Sequence, residues 1–320
     1  MISVLFAATA LVLLQNPASR PELITACNAP IDERPLLSDI IVNDEPPEAN
    51  DLPSLRVTHT ASGGWLKVFY EPVTERAARA RAACLGAQIA LLEVELADQR
   101  RDAQWDSVVF TANPDYVSPR ADAGQGRWIV STRADGTLTE DGEGMIVSTM
   151  PHEQAHDYQN RATTRRSRWF QEGHATWVGL KVSALISPDH TATEIAGHEA
   201  ALSDGAALRL AEWGGMQVRP EAILRQLSPE DRARKLADPS FNPPGPYRFG
   251  PDDVISDENN TSARYAAAWK VFVGLEARHG VDAVRAWVAD LTSRSDTVTD
   301  AMAIASAKER FGEDITPLLQ

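Results

Sequence analysis

The stretch PHEQAHDYQN, residues 151–160, places two histidines four residues apart with a glutamate directly after the first. On an α-helix, residues i and i+4 lie on the same face, so His152 and His156 can present their imidazoles to one metal ion. Glu153 would then stand beside the ion, where it can accept a proton from a water. The alternative is a pair of histidines that share a helix face by coincidence. The metal-site interpretation requires a helix here and a third ligand from elsewhere in the chain.

Pro151 limits where this helix can begin. A proline inside a helix removes a backbone donor and clashes with the preceding turn, but in the first turn that donor has no helical partner anyway. The sequence therefore predicts a helix that starts at Ser148 or Thr149, because either residue can cap it.

A second motif follows the histidine pair. The residues after His156 read DYQNRA, which lacks the glycine and the histidine of the HExxHxxGxxH pattern. Glu172 stands further along, in SRWFQEGHATWVG, at the start of an amphipathic helix. This combination resembles the gluzincins, the thermolysin-like and aminopeptidase-like zinc metallopeptidases, in which HExxH is followed on a second helix by W-x-x-E-G-x-A. Trp169, Glu172, Gly173 and Ala175 match that context position by position.

The resemblance implies roles for individual residues. By it, His152, His156 and Glu172 are the ligands of one Zn²⁺ ion, and Glu153 is the general base. His174 follows Glu172 by two positions, roughly 200° around the helix, so it is not expected on the metal face.

A tyrosine is a candidate for stabilising the transition state. In the resembling families a tyrosine from the helical C-terminal half often donates to the developing oxyanion, and SARYAAAW places Tyr265 at the start of a helix. Tyr247, in a Pro/Gly-rich loop, is a second candidate. The alternative for Tyr265 is an aromatic side chain that anchors its helix to the core.

The hydrophobic pattern predicts an α+β fold. GWLKVFYEP, WDSVVFTANPDY and GRWIVSTR are typical of strands, and a long Ala/Leu/Arg-rich helix opens near Thr74. Nearly everything after Met145 has helical periodicity. We expect a small N-terminal sheet with a long helix over residues 61–147. A mostly helical catalytic part over residues 148–320 should follow, with the HExxH helix between them. The resemblance to gluzincins covers residues 64–320, and its closest match is to small bacterial exported members.

The N-terminal segment is predicted to lie outside the catalytic fold. Residues 1–20 contain an apolar run that is too short to span a bilayer, which favours a signal peptide over a buried first helix. Residues 21–60 are rich in Pro, Asp and Glu and are predicted to be a linker or pro-segment. Cys27 and Cys84 are the only cysteines; in an exported chain they can form one disulfide, and in a cytosolic chain both would be thiols.

Charge and composition narrow the partners. The net charge is −14, so the basic surface of a nucleic-acid-binding protein is missing and no nucleic acid is expected. No further apolar segment predicts a transmembrane span in the mature chain. The expected partner is a peptide or protein substrate in the periplasm or outside the cell.

The predicted function is zinc-dependent hydrolysis of internal peptide bonds. Aminopeptidases of this class carry a G-x-M-E-N-type strand before the metal helix, and GRWIVSTRADGTLTEDGEGM has no such motif, which disfavours action on free N-termini. The strand in GRWIVST is either an edge on which an extended peptide lies or an ordinary edge strand. Two other functions stay open: a non-catalytic zinc-binding interaction module, and a hydrolase of a non-peptide amide.

Overall fold

The structure is a computed structural model of the 320-residue chain. It describes residues 21–28, 37–47, 51–96, 103–116, 127–162, 165–202, 208–214, 217–238, 241, 250, 254–255, 260–294 and 297–320. The signal peptide predicted for residues 1–20 and the candidate Tyr247 both lie outside these ranges.

A five-stranded sheet forms the N-terminal part of the fold, in the spatial order β1-β2-β3-β4-β5. The strands are Ile40–Glu45 (β1), Ser54–His59 (β2), Trp65–Tyr70 (β3), Ser107–Thr111 (β4) and Arg127–Ser131 (β5). The first three pair antiparallel, and β3, β4 and β5 run parallel. The three strands that the sequence predicts are β3, β4 and β5, and β5 lies at an edge of the sheet. With the helices that follow, the sheet confirms the α+β class.

The described parts of residues 21–60, the predicted linker or pro-segment, carry a helix and two strands that pack with the rest of the fold. Pro21–Asn28 form a helix (α1) whose Leu23, Ala26 and Cys27 are buried, and both β1 and β2 belong to the sheet. Four of the six residues of β1 are exposed, so this strand carries no alternating apolar pattern that a sequence could reveal. Its place in the sheet depends on backbone pairing with β2.

The long helix predicted after β3 runs from Glu75 to Glu95 (α2) and packs on the sheet. It begins directly after Thr74, near which the sequence predicts its start, although the Thr74 side chain makes no capping hydrogen bond. Gly86 marks the closest approach to the strands, because a Cβ there would lie 2.5 Å from the Ile40 side chain and 2.9 Å from that of Val57. A glycine at this position therefore lets the helix lie flat on β1 and β2.

Cys27 of α1 and Cys84 of α2 form a disulfide, with their Cα atoms 4.7 Å apart. Both residues are fully buried. The bridge ties the N-terminal helix to α2, so the pairing that the sequence allows in an exported chain is present.

Replacing both cysteines by alanine is expected to lower the free energy of unfolding substantially. The bridge joins residues 57 apart in sequence, and a cross-link of that span removes about 4 kcal/mol of chain entropy from the unfolded state. Urea unfolding of the oxidised wild type and of the double variant measures the difference. A reducing agent should bring the wild type close to the variant, and equal midpoints without it would contradict a stabilising bridge.

The rest of the described chain is mostly helical. The helices are Glu140–Gly144 (α3), Met150–Ala162 (α4), Arg168–Ile186 (α5), Pro188–Ala201 (α6), Pro220–Leu224 (α7), Pro229–Ala237 (α8), Thr261–His279 (α9), Val281–Arg294 (α10) and Asp300–Phe311 (α11). Two-residue strands pair β6 (Arg165–Arg166) with β9 (Thr297–Val298) and β7 (Gln217–Val218) with β8 (Val254–Ile255). Helix α5 is central, since α1, α2, α4, α6 and α9 all pack on it. No helix in the described ranges combines the length and the apolar character needed to cross a bilayer.

The sequence predicted that helix α4 would begin with a cap at Ser148 or Thr149, and this prediction is wrong. Instead α3, a π-helical turn over Met145–Thr149 and α4 form one continuous helical stretch. The cap is Thr139, whose hydroxyl accepts a backbone hydrogen bond in the first turn of α3. The wider π turn ends two residues before Pro151, which cannot donate the hydrogen bond of a regular helix. The chain therefore stays helical through the proline.

Candidate metal centre

Three side chains from two neighbouring helices converge at one point: His152 and His156 from α4, and Glu172 from α5. The Nε2 atoms of the two histidines are 3.0 Å apart. Glu172 Oε2 lies 3.1 Å from His156 Nε2 and 3.5 Å from His152 Nε2. The spacing along α4 puts the two imidazoles one turn apart on the same face. Helix α5 packs against α4, and the Glu172 carboxylate lies close to both imidazoles. The structure thus brings together the three side chains for which the sequence predicts a ligand role.

The spacing of these three atoms fits a bound metal ion. Ligand atoms about 2.0–2.1 Å from an ion in a tetrahedral arrangement lie roughly 3.3 Å from one another. The observed separations of 3.0, 3.1 and 3.5 Å bracket that value. Within the described ranges, no other group of three His, Cys, Asp or Glu side chains lies close enough to hold an ion.

The orientation of His156 is set by Gln159, which is fully buried. The amide nitrogen of Gln159 donates to the backbone carbonyl of Gln171 at 3.0 Å and to Nδ1 of His174 at 2.9 Å. Both amide hydrogens are therefore used, and the amide oxygen, 2.9 Å from Nδ1 of His156, accepts the proton on that nitrogen. A proton on Nδ1 leaves the lone pair of Nε2 directed at the centre.

His174 supports this arrangement from the core. Its ring packs against Trp177 and Phe272, and burial lowers the pKa of His174 to about 3, with the charge of Arg166 acting in the same direction. A neutral imidazole can accept the hydrogen bond from Gln159 at Nδ1. His174 lies off the metal face, as the sequence predicts, and its hydrogen bond with Gln159 links it to His156.

His152 also has a polar neighbour on its outer nitrogen. Its Nδ1 lies 3.4 Å from the hydroxyl of Thr176, which follows Glu172 by one turn of α5. The two helices touch closely here, because a Cβ on Gly179 would lie 3.0 Å from the backbone nitrogen of His152. The close contact between α4 and α5 keeps the ligands from the two helices in register.

Opposing effects set the charges of the candidate ligands. Burial acts to raise the pKa of Glu172, but hydrogen bonds with His152 and His156 hold it well below its usual value, so the carboxylate is ionised. Burial acts to lower the pKa of His156, but hydrogen bonding and charge from Glu172 leave it raised. The other carboxylate oxygen of Glu172 lies 4.0 Å from Nε of Arg168.

Glu153 follows the first ligand and is half-buried. Burial raises the pKa of Glu153, while the positive charges of His152 and His156 oppose the shift and the charge of Glu172 adds to it. The Glu153 carboxyl thus lies within electrostatic reach of all three converging side chains. A carboxylate whose pKa is raised is a stronger base than a carboxylate with the ordinary pKa of an exposed side chain.

Tyr265, in the second turn of α9, reaches the same centre. Its ring centroid is 6.2 Å from that of His152, and Trp213 packs edge-on against it at 5.0 Å. Burial and the negative charge of Glu172 raise the pKa of Tyr265 to about 12, so the hydroxyl stays protonated and can donate a hydrogen bond. The contact with Trp213 also makes Tyr265 part of the packing between α9 and the rest of the core.

A cavity of about 170 Å³ opens beside His152, between α4, α5, α6 and α9. Its walls include Ser148, Thr149, Thr176, Leu180, Glu194, His198 and Tyr265. A second opening continues past Tyr265 to the first turn of α9 and shares Glu194 and His198 with the cavity. The centre is therefore reached from one side through a partly polar cleft.

Gln159, Thr176 and Glu194 were not predicted as site residues. The first two carry a signal that could have found them, since Gln159 follows His156 by three positions and Thr176 follows Glu172 by four, the spacings that share a helix face. Glu194 has no such signal, because its position depends on the packing of α6.

No family model matches the chain, and no curated protein matches its sequence.

Proposed function

We propose that the chain is a zinc-dependent metallopeptidase of the gluzincin type that cleaves internal peptide bonds. The observation that carries the proposal is the convergence of His152, His156 and Glu172 at 3.0–3.5 Å, with Glu153 beside them. The order of the two helices supports it, because the HExxH helix α4 is followed by α5 with its W-x-x-E-G-x-A motif.

Zinc suits this set of donors. Two imidazole nitrogens and one carboxylate oxygen leave a fourth position open, as in catalytic zinc sites. When bound there, zinc would supply Lewis-acid activation of a water and of the scissile carbonyl.

The remaining steps belong to residues of the chain. Glu153, whose carboxyl lies within electrostatic reach of the three converging side chains, would accept a proton from the attacking water and pass it to the leaving amine. Tyr265, whose hydroxyl stays protonated, would donate a hydrogen bond to the carbonyl oxygen as negative charge develops on it. The cleft beside His152 is where the substrate would lie.

An exported location is part of the proposal. The buried disulfide between Cys27 and Cys84 is typical of proteins that fold in oxidising compartments. The apolar N-terminal run, with its sequence pattern of a signal peptide, agrees with this.

A peptide-library digest tests the function. Zinc-loaded protein should cut peptides at internal bonds, which mass spectrometry detects, and elemental analysis should find about one zinc per chain. A Glu172→Ala variant should lose both zinc and cleavage. Bound zinc without cleavage of any substrate would favour the interaction module, and cleavage of non-peptide amides alone would assign the other class of hydrolase.

A Gln159→Met variant is expected to weaken zinc binding by about 10–100-fold, the usual effect of losing the residue that orients a ligand histidine. Methionine keeps the volume of the side chain but removes the acceptor for Nδ1 of His156. Competition with a chelator of known affinity measures the change.

Gln154→Met is the matched control. Gln154 is equally buried on the same helix, and its side-chain nitrogen and oxygen have no hydrogen-bond partner in the described structure. Zinc affinity should stay close to that of the wild type in this variant. Equal losses in the two variants would mean that packing, not the hydrogen bond, determines the affinity.

A further inference from the structure

A glutamate from a third helix faces the cavity beside the metal centre. Glu194 of α6 accepts a hydrogen bond from the hydroxyl of Ser148, and both residues line the cavity together with His152. Ser148 precedes His152 by four residues in one continuous helical stretch. The Glu194 carboxylate therefore contacts the helical stretch that carries His152 and lines the same cavity as that residue.

This carboxylate has no cationic partner within the described ranges, although Glu199, on the same helix, pairs with Lys270. Only one oxygen of Glu194 takes the hydrogen bond from Ser148. His198, one turn further along α6, forms no ion pair with Glu194 among the described residues, and burial lowers the pKa of His198. A partly buried carboxylate without a counter-charge is destabilising, and a cation entering the cleft would relieve that cost.

We infer that Glu194 is an anionic subsite that binds a positively charged nitrogen group of the substrate next to the cleaved bond. The inference rests on the proposed peptidase function and adds a substrate class to it: peptides with an ammonium or guanidinium close to the scissile bond. Leu180 and Tyr265 line the same cavity and offer apolar surface to the aliphatic stem of a lysine or arginine.

A second metal ion fits this position less well. Glu194 and His198 share a face of α6, but they would supply only two ligands. The described part of the chain has a single group of three candidate ligands, and that group is the centre already described. An organic cation needs only the one carboxylate.

The test measures binding without turnover. Zinc-loaded Glu153→Gln protein is titrated by calorimetry with N-terminally acetylated hexapeptides. The peptides are made in pairs that carry either lysine or norleucine at one position, and that position differs from pair to pair. Each sequence is also made with a free N-terminal amine. We expect lysine at one position to tighten binding about tenfold, a gain that high salt reduces, as for other partly exposed charge pairs.

Adding Glu194→Gln should abolish the gain, because the amide keeps the shape and the acceptor for Ser148 but not the charge. Adding Glu199→Gln instead, on the same helix but outside the cavity lining, should preserve it. If a free N-terminal amine tightens binding and Glu194→Gln removes that effect, the subsite is also supported, and its ligand is then the N-terminal ammonium of the peptide. A lysine preference that survives Glu194→Gln, or no binding of any peptide, would overturn the inference.

The library digest judges the proposed function separately. A protein that cleaves peptides without a preference dependent on Glu194 fails this inference alone. A protein that shows the binding preference but cleaves nothing fails the proposed function alone.

Discussion

A Glu153→Gln variant is expected to retain zinc and to lose peptide hydrolysis, with kcat lowered by about 10²–10⁴-fold, the usual contribution of a positioned general base. Glutamine has nearly the shape of glutamate, but its amide cannot accept the proton of the attacking water. Burial raises the pKa of Glu153, which makes the wild-type carboxylate a better base than an exposed one. The measurement is kcat on a peptide that the wild type cleaves, with zinc determined by elemental analysis.

Glu143→Gln is the control for this variant. Glu143 lies on the same continuous helical stretch as Glu153, but its side chain is 42% exposed and pairs with Arg81. Its replacement should leave kcat close to the wild-type value. If Glu153→Gln also left kcat unchanged while zinc was retained, another group would have to be the base.

The convergence of the three candidate ligand positions was predictable because each motif is a property of a single helix. Once α4 and α5 form, the i,i+4 spacing sets the face of His152 and His156, and the second motif sets that of Glu172. Glu194 could not be found in the same way. It meets Ser148 across 46 residues of sequence, and that contact exists only because α6 folds back onto the metal helix.

Two features of the fold could not be predicted from the sequence for other physical reasons. Strand β1 is stabilised by backbone hydrogen bonds with β2 and exposes most of its side chains, so its sequence resembles that of a surface loop. The π turn lets the helix continue through Pro151, although a proline normally marks a helix boundary because it removes a backbone donor and clashes with the preceding turn. Hydrophobic periodicity predicts elements with a buried face, whereas an exposed edge strand and a widened turn carry little of that signal.

A Tyr265→Phe variant is expected to lower kcat by about a hundredfold or more, the effect of losing one donor to a developing oxyanion. The raised pKa of Tyr265, about 12, keeps the wild-type hydroxyl protonated and able to donate. Zinc content should not change, because Tyr265 is not one of the three ligands. The measurement is kcat and KM on the same peptide, with zinc content and urea unfolding measured in parallel.

Phenylalanine separates the two roles of this side chain, because it keeps the edge-on contact with Trp213 and removes only the hydroxyl. A fall in kcat with unchanged KM, zinc and stability would identify a donor that acts mainly in the transition state. Tyr70→Phe, in strand β3 of the N-terminal sheet, is the matched control and should leave kcat unaltered. If Tyr265→Phe also left kcat unaltered, the ring would serve packing alone, and Tyr247, outside the described ranges, would become the residue to test as the donor.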